Sequence, residues 1–352
     1  MLIGVNDLYD FLLKCHKESL GGIESVFVPY PQSDNGQKEY NLRKISENLD
    51  FELTGFRAQD PLKILFYLFR ESVTGKAEKN KKRIVAGIKS CDLEAIKLLD
   101  RAMVNESFVD QSYQYWRNGT YIITTDCTES KPSCHCNLVG GKPFVENGFD
   151  INLSKVNDYY FVKSGSKKGD FIYNLIKQNV PTSSIESDTL KAIAENHSRI
   201  SEALYTQNLP FFQSADYKTL SESKLDNWQE NGQQCVGCGG CTNICPTCYC
   251  LILNDESDAH KFVKVRTYDS CQLHGYARVA GGASPREAMP QRFRNRYLCK
   301  FCYMQDNFKT VGCTGCGRCI DACPAGIDFR KVIRNITKQS GKTEIKNEEI
   351  NV

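Results

Sequence analysis

Cys235-Val-Gly-Cys238-Gly-Gly-Cys241-Thr-Asn-Ile-Cys245-Pro246 and Cys313-Thr-Gly-Cys316-Gly-Arg-Cys319-Ile-Asp-Ala-Cys323-Pro324 repeat one spacing, Cys-x2-Cys-x2-Cys-x3-Cys-Pro. Three cysteines at that spacing can wrap a tight loop around one cubane, while the fourth opens the next turn of helix and reaches the other cluster. The expected sets are therefore crossed: Cys235, Cys238, Cys241 and Cys323 for one [4Fe–4S] cluster, and Cys313, Cys316, Cys319 and Cys245 for the other. Zinc is the competing reading of a single run, and two runs each followed by proline argue against it.

The rest of the composition agrees with metal chemistry inside a reducing compartment. In a chain of 352 residues with 41% hydrophobic residues there is enough to bury real cores, and the length suggests two or three domains. Eighteen cysteines in a long chain, with no basic and then apolar stretch after Met-Leu-Ile-Gly-Val-Asn, read as ligands rather than disulfides, and the expected location is cytoplasmic. No apolar run is long enough for a bilayer span, so membrane insertion is not expected. A formal charge of +3 gives no footprint for nucleic acid. The basic stretch Lys76 to Arg83 reads as a solvated loop, because Glu and Asn interrupt it and no aromatic is interleaved.

Working outward, the expected fold is an α/β N-terminal domain followed by an α+β, two-[4Fe–4S] ferredoxin-like domain with a long insert between its cluster motifs. The expected boundaries are 1–215, a connecting segment 216–232 within a polar stretch from Pro210 to Asn231, a cluster domain 233–336 with insert 246–312, and a polar tail 337–352. Arg83 to Ile88 and Tyr121 to Thr125 read as strands flanking a helix from Asp92 to Met103. Further helices are expected over Val5 to His16, Pro61 to Ser72 and Asp188 to Tyr205, the last with Leu190, Ile193, Ile200 and Leu204 near one face. Between Pro246 and Gly312 lie 67 residues, too many for a structureless loop, and a helix is expected to begin within Asp269 to Ala280. The arginines of Arg292-Phe-Arg-Asn-Arg296 read as a solvated face or as a docking site for an acidic partner.

Two further cysteine groups are candidates for clusters. Cys91 follows the first strand and opens a helix, where unpaired N–H groups and the helix dipole favour a thiolate. Cys127 follows the second strand, and Cys134 and Cys136 complete a candidate third set from a loop, with incidental buried cysteines as the alternative. If the two strands are parallel neighbours, both turns lie at the carboxyl edge of the sheet, where α/β folds place their sites. His135 reads as a surface side chain that could substitute as a ligand. The insert adds Cys248, Cys250, Cys271, Cys299 and Cys302. A candidate fourth cluster would take the Cys299-x2-Cys302 pair with Cys271 and one of Cys248 or Cys250. Cys15, alone on the first helix, reads as packing.

As a set these residues resemble the β subunits of cytoplasmic sulfhydrogenases and NiFe hydrogenases and the A subunit of anaerobic sulfite reductase. The resemblance runs through Gly87-Ile-Lys-Ser-Cys91-Asp-Leu, Asp126-Cys127-Thr-Glu with Cys134-His-Cys136, Cys245-Pro-Thr-Cys248-Tyr-Cys250, Asp269-Ser-Cys271, Ala280-Gly-Gly282 and both ferredoxin runs. It implies ligand roles for Cys91, Cys127, Cys134 and Cys136. It also implies that the chain conducts electrons between a flavin and NAD(P)-binding reductase subunit and a catalytic subunit holding NiFe or sirohaem. The chain departs from the family where a His-Lys pair is expected, having Cys299-Lys-Phe-Cys302 instead. A relay of one-electron steps is thus the leading expectation. A flavin enzyme holding FAD on the N-terminal domain is the first alternative, since deazaflavin-oxidising hydrogenase subunits look distantly similar there. A redox sensor is the second, although no helix-turn-helix supports it. No Gly-x-Gly-x-x-Gly follows a strand, so a nicotinamide site in this chain is not expected.

Overall fold

The computed structural model describes residues 1–34, 36–46, 50–73, 81–184, 187–211, 217–258 and 260–339. Chain order begins with β1 (Leu2–Gly4), α1 (Val5–Lys17), β2 (Ile23–Asp34), β3 (Gln37–Lys44), β4 (Arg70–Ser72), β5 (Lys82–Ile88), α2 (Ser90–Met103) and α3 (Gln111–Gly119). It continues with β6 (Thr120–Thr125), β7 (Ile151–Val156), β8 (Tyr159–Ser164), α4 (Lys167–Asn179) and α5 (Ser187–Asn208). One seven-stranded sheet runs in the order β1-β8-β7-β6-β5-β2-β3. Its centre, β2-β5-β6-β7, is parallel, and its outer pairs are antiparallel.

The central strands are apolar nearly throughout because both faces are covered. Ile84 and Ala86 of β5 point into a core with Leu8, Phe11 and Leu12 of α1 and Ile172 and Ile176 of α4. Val85 and Ile88 point the other way, onto Leu93, Ile96 and Leu99 of α2 and Tyr113 of α3. Cys15 is fully buried in the first of these cores, as packing requires.

The second half holds α6 (Lys218–Glu222), α7 (Leu225–Asn231), α8 (Gly240–Asn243), β9 (Leu251–Asp258), β10 (Lys261–Tyr268), α9 (Met289–Leu298), a π-turn at Cys299–Tyr303, α10 (Met304–Phe308), α11 (Arg318–Asp321) and α12 (Phe329–Gln339). Leu220 of α6 and Trp228 of α7 are fully buried in a third core with Phe293, Tyr297, Phe329 and Val332. The segment expected as a connector is thus, over its described part, two helices built into the cluster half. The insert has elements of its own, as its length demanded.

Several expectations are corrected. Pro61 to Ser72 is not a helix: a short 3-10 turn at Leu62–Leu65 leads into β4, which pairs with β10 in a second, three-stranded sheet, β4-β10-β9. Pairing with Val265 to Thr267 outweighs a local helical pattern. No helix begins between Asp269 and Ala280. That segment is a series of turns, with Ala277 at φ 60°, and Gly281 and Gly282 just beyond it at 85° and 86°. The arginine run is not a solvated face: on α9, Arg292 and Arg296 are buried, and Arg292 donates to the backbone oxygens of Gln272 and Arg286. Of the basic stretch 76–83, residues 76–80 lie outside the described residues. Arg83 is buried, donating to Thr120 Oγ1 at 2.7 Å with its guanidinium 4.4 Å from the Trp116 ring. Helix α5 extends past both expected ends and buries Ile200 and Leu204, while Leu190 is exposed. Of the tail, 340–352 lies outside the described residues, and Thr337 belongs to α12.

Two ion pairs, the first buried, join the halves. Arg318 of α11 donates to Asp92 of α2 at 2.7 Å with both side chains inaccessible to water, and Arg57 pairs with Asp321. Among the described residues no helix is long and apolar enough to cross a membrane.

Candidate metal centre

Both cysteine runs fold the same way. Gly237 and Gly239 in the first, and Gly315 and Gly317 in the second, take left-handed backbone that tightens each loop, with φ of 66° and 75° against 65° and 75°. One turn of helix follows in each, α8 or α11, and its end carries the fourth cysteine. The amides of Cys245 and Cys323 donate to Thr242 and Ile320 at the same 3.3 Å.

Three small cavities are lined by the expected cysteines. Cys235, Cys238, Cys241 and Cys323 line one of about 40 Å³ with Arg296 and Pro324. Cys245, Cys313, Cys316 and Cys319 line one of about 20 Å³ with His135, Arg296 and Lys300. Cys91, Cys127, Cys134 and Cys136 line one of about 30 Å³ with Arg57 and Ser90. Cys323 thus lines the cavity of the first run and Cys245 that of the second. Cys319 also faces the first cavity and Cys316 also faces the third, so the second cavity adjoins both the first and the N-terminal one. Among the described residues no three His, Cys, Asp or Glu side chains converge closely enough for a single metal ion. In donor type, four thiolates per set suit a cubane or a zinc ion, and the doubled Cys-x2-Cys-x2-Cys-x3-Cys-Pro spacing favours the cubane.

The N-terminal set follows from topology. β5 and β6 are parallel neighbours, so the turns after Ile88 and Thr125 emerge at one edge. Cys91 lies in the first turn of α2, and the Cys127 amide donates to Pro143 O at 2.8 Å, bringing in the loop that follows Cys136. That loop is pressed against the second ferredoxin run: the His135 amide donates to Gly315 O at 2.7 Å, and a Cβ on Gly315 would overlap the Cys136 backbone.

Sequence reasoning missed the buried cations around these sites. Burial and repulsion among neighbouring thiolates push the thiols up, Cys127 to about 12 and Cys319 to about 11. Burial opposes charge on Arg296, yet the Cys241 and Cys319 thiolates hold its guanidinium well above the usual range. Burial likewise opposes Lys300, which the Cys245, Cys248 and Cys299 thiolates hold up. Lys89 is fully buried beside Cys127 and lowered by burial, and it donates to Leu53 O at 2.9 Å. Cations at these points stabilise an electron-rich site and raise its potential. Only the arginine run carried a sequence signal, and its long-range thiolate partners were invisible there.

His135 is a further correction. It is buried, its Nδ1 lies 2.9 Å from Ser133 O, and burial lowers its pKa to about 4, so it is neutral and donates from Nδ1. Its Nε2 faces Cys313 at 3.8 Å, placing it beside the second ferredoxin set rather than at the surface. Of the insert cysteines, Cys302 Sγ turns to Tyr217 O at 3.5 Å, away from Cys248, Cys250, Cys271 and Cys299. A π-turn winds wider than an α-turn, so residues 299 and 302 do not share a side.

Two matched cysteine loops with a third cysteine set adjoining them define an iron–sulfur electron-transfer protein. Comparison with known proteins agrees: residues 234–327 match the 4Fe-4S dicluster domain family. The chain is 32% identical over 279 residues to sulfhydrogenase 2 subunit beta of Pyrococcus furiosus, covering 78% of this chain and 80% of that protein. It belongs to the sulfhydrogenase β-subunit family. It is also 23% identical over 149 residues to the F420-dependent formate dehydrogenase subunit beta of Methanocaldococcus jannaschii, covering 42% of this chain and 32% of that protein.

Proposed function

We propose that this chain is the electron relay of a cytoplasmic multi-subunit oxidoreductase of the hydrogenase type. It would pass single electrons between a flavin and NAD(P)H-oxidising subunit and a catalytic subunit carrying NiFe or sirohaem. The observation that carries this reading is the sharing of Cys319 and Cys316 between adjoining cavities, which sets the second cysteine set against both of the others. Cys235, Cys238, Cys241 and Cys323 would hold one [4Fe–4S] cluster, Cys245, Cys313, Cys316 and Cys319 a second, and Cys91, Cys127, Cys134 and Cys136 a third. Bound there, such clusters supply reversible one-electron storage. The chain's own residues hold them apart by fixed loops and place Arg296, Lys300 and Lys89 where added negative charge is compensated. Cys238 and Val236 are exposed, so the first site lies at the surface, where a partner can exchange electrons with it.

A second reading, in which the N-terminal half binds FAD, is favoured by one observation. A cavity of 470 Å³ opens beside Cys91, Cys136 and Cys313, lined by Lys97, Arg101, Gly141 and Lys309, and cofactor pockets span roughly 300–1,000 Å³. One preparation tests both. Anaerobic iron and acid-labile sulfide are measured on the full chain and on Cys91→Ser, with flavin extraction from the same samples. The relay reading expects no flavin and a loss of about four iron per chain in the variant. Stoichiometric flavin would put the second reading first, and unchanged iron in Cys91→Ser would remove the N-terminal set.

A further inference from the structure

We propose a fourth iron–sulfur site in the insert, held by Cys248, Cys250, Cys271 and Cys299 and not by Cys302. It rests on the iron–sulfur reading of the other sets and uses different residues.

Three segments bring these cysteines together. The β9–β10 register pairs Leu251 with Tyr268, and the Asp269 amide donates to Cys250 O at 2.9 Å, so Cys250 and Cys271 flank the open end of the hairpin. Gln272 then clasps α9: its Nε2 donates to Arg292 O at 2.9 Å, and Arg292 Nε donates back to Gln272 O at 3.2 Å. The Asn295 side chain hydrogen-bonds Cys271, and Asn295 lies four residues before Cys299 on one side of that helix, which sets Cys271 beside Cys299. Burial raises all three thiols, and mutual repulsion adds to it: Cys299 acts on Cys250, Cys250 on Cys271, and Cys271 on Cys299, while the Gln272 side chain and Lys300 oppose the rise at Cys271 and Cys299. The three interactions close a ring. Cys248, two residues before Cys250, is the remaining thiol of that segment, and its hydrogen bond with Cys245 sets the insert site against the second ferredoxin set.

Two buried lysines lie beside the same segment. Lys63 and Lys300 are both almost wholly buried. Lys63 Nζ donates to Cys248 O at 2.8 Å and lies 4.7 Å from the centre of the Tyr268 ring, and Lys300 Nζ donates to Thr247 Oγ1 at 2.6 Å. Among the described residues, no carboxylate is found in an ion pair with either. Lys300 also lines the second ferredoxin cavity, where the cluster proposed there already serves as its counter-ion, so Lys63 beside the Cys248 carbonyl is the cation that a further anion would pair. A cubane carrying four thiolates has net negative charge and would be that anion.

The test is iron and sulfide content of the full chain, with Mössbauer spectra of ⁵⁷Fe-grown protein, for the wild type and for Cys271→Ser, Cys299→Ser and Cys302→Ser. The expected wild-type content is about sixteen iron per chain, falling to about twelve in Cys271→Ser and Cys299→Ser and staying at about sixteen in Cys302→Ser. A Cys302→Ser loss equal to that of Cys299→Ser overturns the assignment. Should either ligand variant fail to fold, the wild-type count decides. About twelve iron, dropping to about eight in Cys91→Ser, overturns the fourth site and leaves the relay intact. About twelve with Cys91→Ser unchanged supports the insert site and removes the N-terminal set instead.

Discussion

Gly315→Ala is the sharpest probe of the contact that joins the two halves. Gly315 has φ +65°, and a Cβ there would overlap the backbone of His135 and Cys136. The left-handed conformation alone costs a residue with a Cβ about 1–2 kcal/mol. Forcing apart two packed loops adds about 1–3 kcal/mol, and the 2.7 Å bond from the His135 amide to Gly315 O is strained with it. The sum, about 2–5 kcal/mol, is a large share of the stability of a typical domain. Gly326→Ala is the control, because Gly326 has φ +62° but open space where the Cβ would go, leaving only about 1–2 kcal/mol. Thermal and urea midpoints of the anaerobic proteins compare the two, and iron content shows where the damage lies. Gly315→Ala should lose more than one cluster's worth of iron, because the same contact shapes a ferredoxin loop and the Cys134 to Cys136 loop. Equal midpoints for the two variants, or full iron in Gly315→Ala, would refute the close approach.

Other consequences follow from the buried charges and thiols. Asp92→Ala leaves Arg318 buried and unpaired, so stability should fall by about 3–5 kcal/mol. A loss under about 1 kcal/mol on chemical unfolding would show that water reaches the pair. Arg296→Met removes the cation shared by the first two cavities, and potentiometric EPR titration should show both ferredoxin-site potentials lower by on the order of 50–100 mV. Unmoved potentials would mean that the guanidinium does not act on those sites. Burial pushes the Cys15 thiol up to about 12, so native-state alkylation at neutral pH should be at least about a thousandfold slower than for a free thiol. Rapid labelling would mean that α1 detaches from the sheet.

The sequence carried what is local. Each ferredoxin loop is decided within eleven residues by its cysteine spacing and glycines, and the strand, helix and strand around Cys91 follow from apolar runs that need no partner to be recognised. What it hid depends on distant neighbours. Arg70 to Ser72 is a strand because Val265 to Thr267 offers it a free edge. Arg296 is buried because thiolates from three other segments surround it. Cys299 and Cys302 have a favourable ligand spacing on paper, but the wider π-turn sends them to different sides. His135 looked like an isolated surface residue until Ser133 and Cys313 were found on either side of it.

The pairing of Ser72 with Val265 also has a temporal side. During synthesis the N-terminal sheet can close early, yet β4 must wait for a partner that is made nearly two hundred residues later, about 10–40 s at ordinary elongation rates. Until then a short edge and the ring of Tyr67, which stacks on Tyr268 in the finished fold, stand uncovered, open to the wrong neighbour. A gene cut between the halves would make that wait permanent, so neither fragment should mature alone as it does in the intact chain.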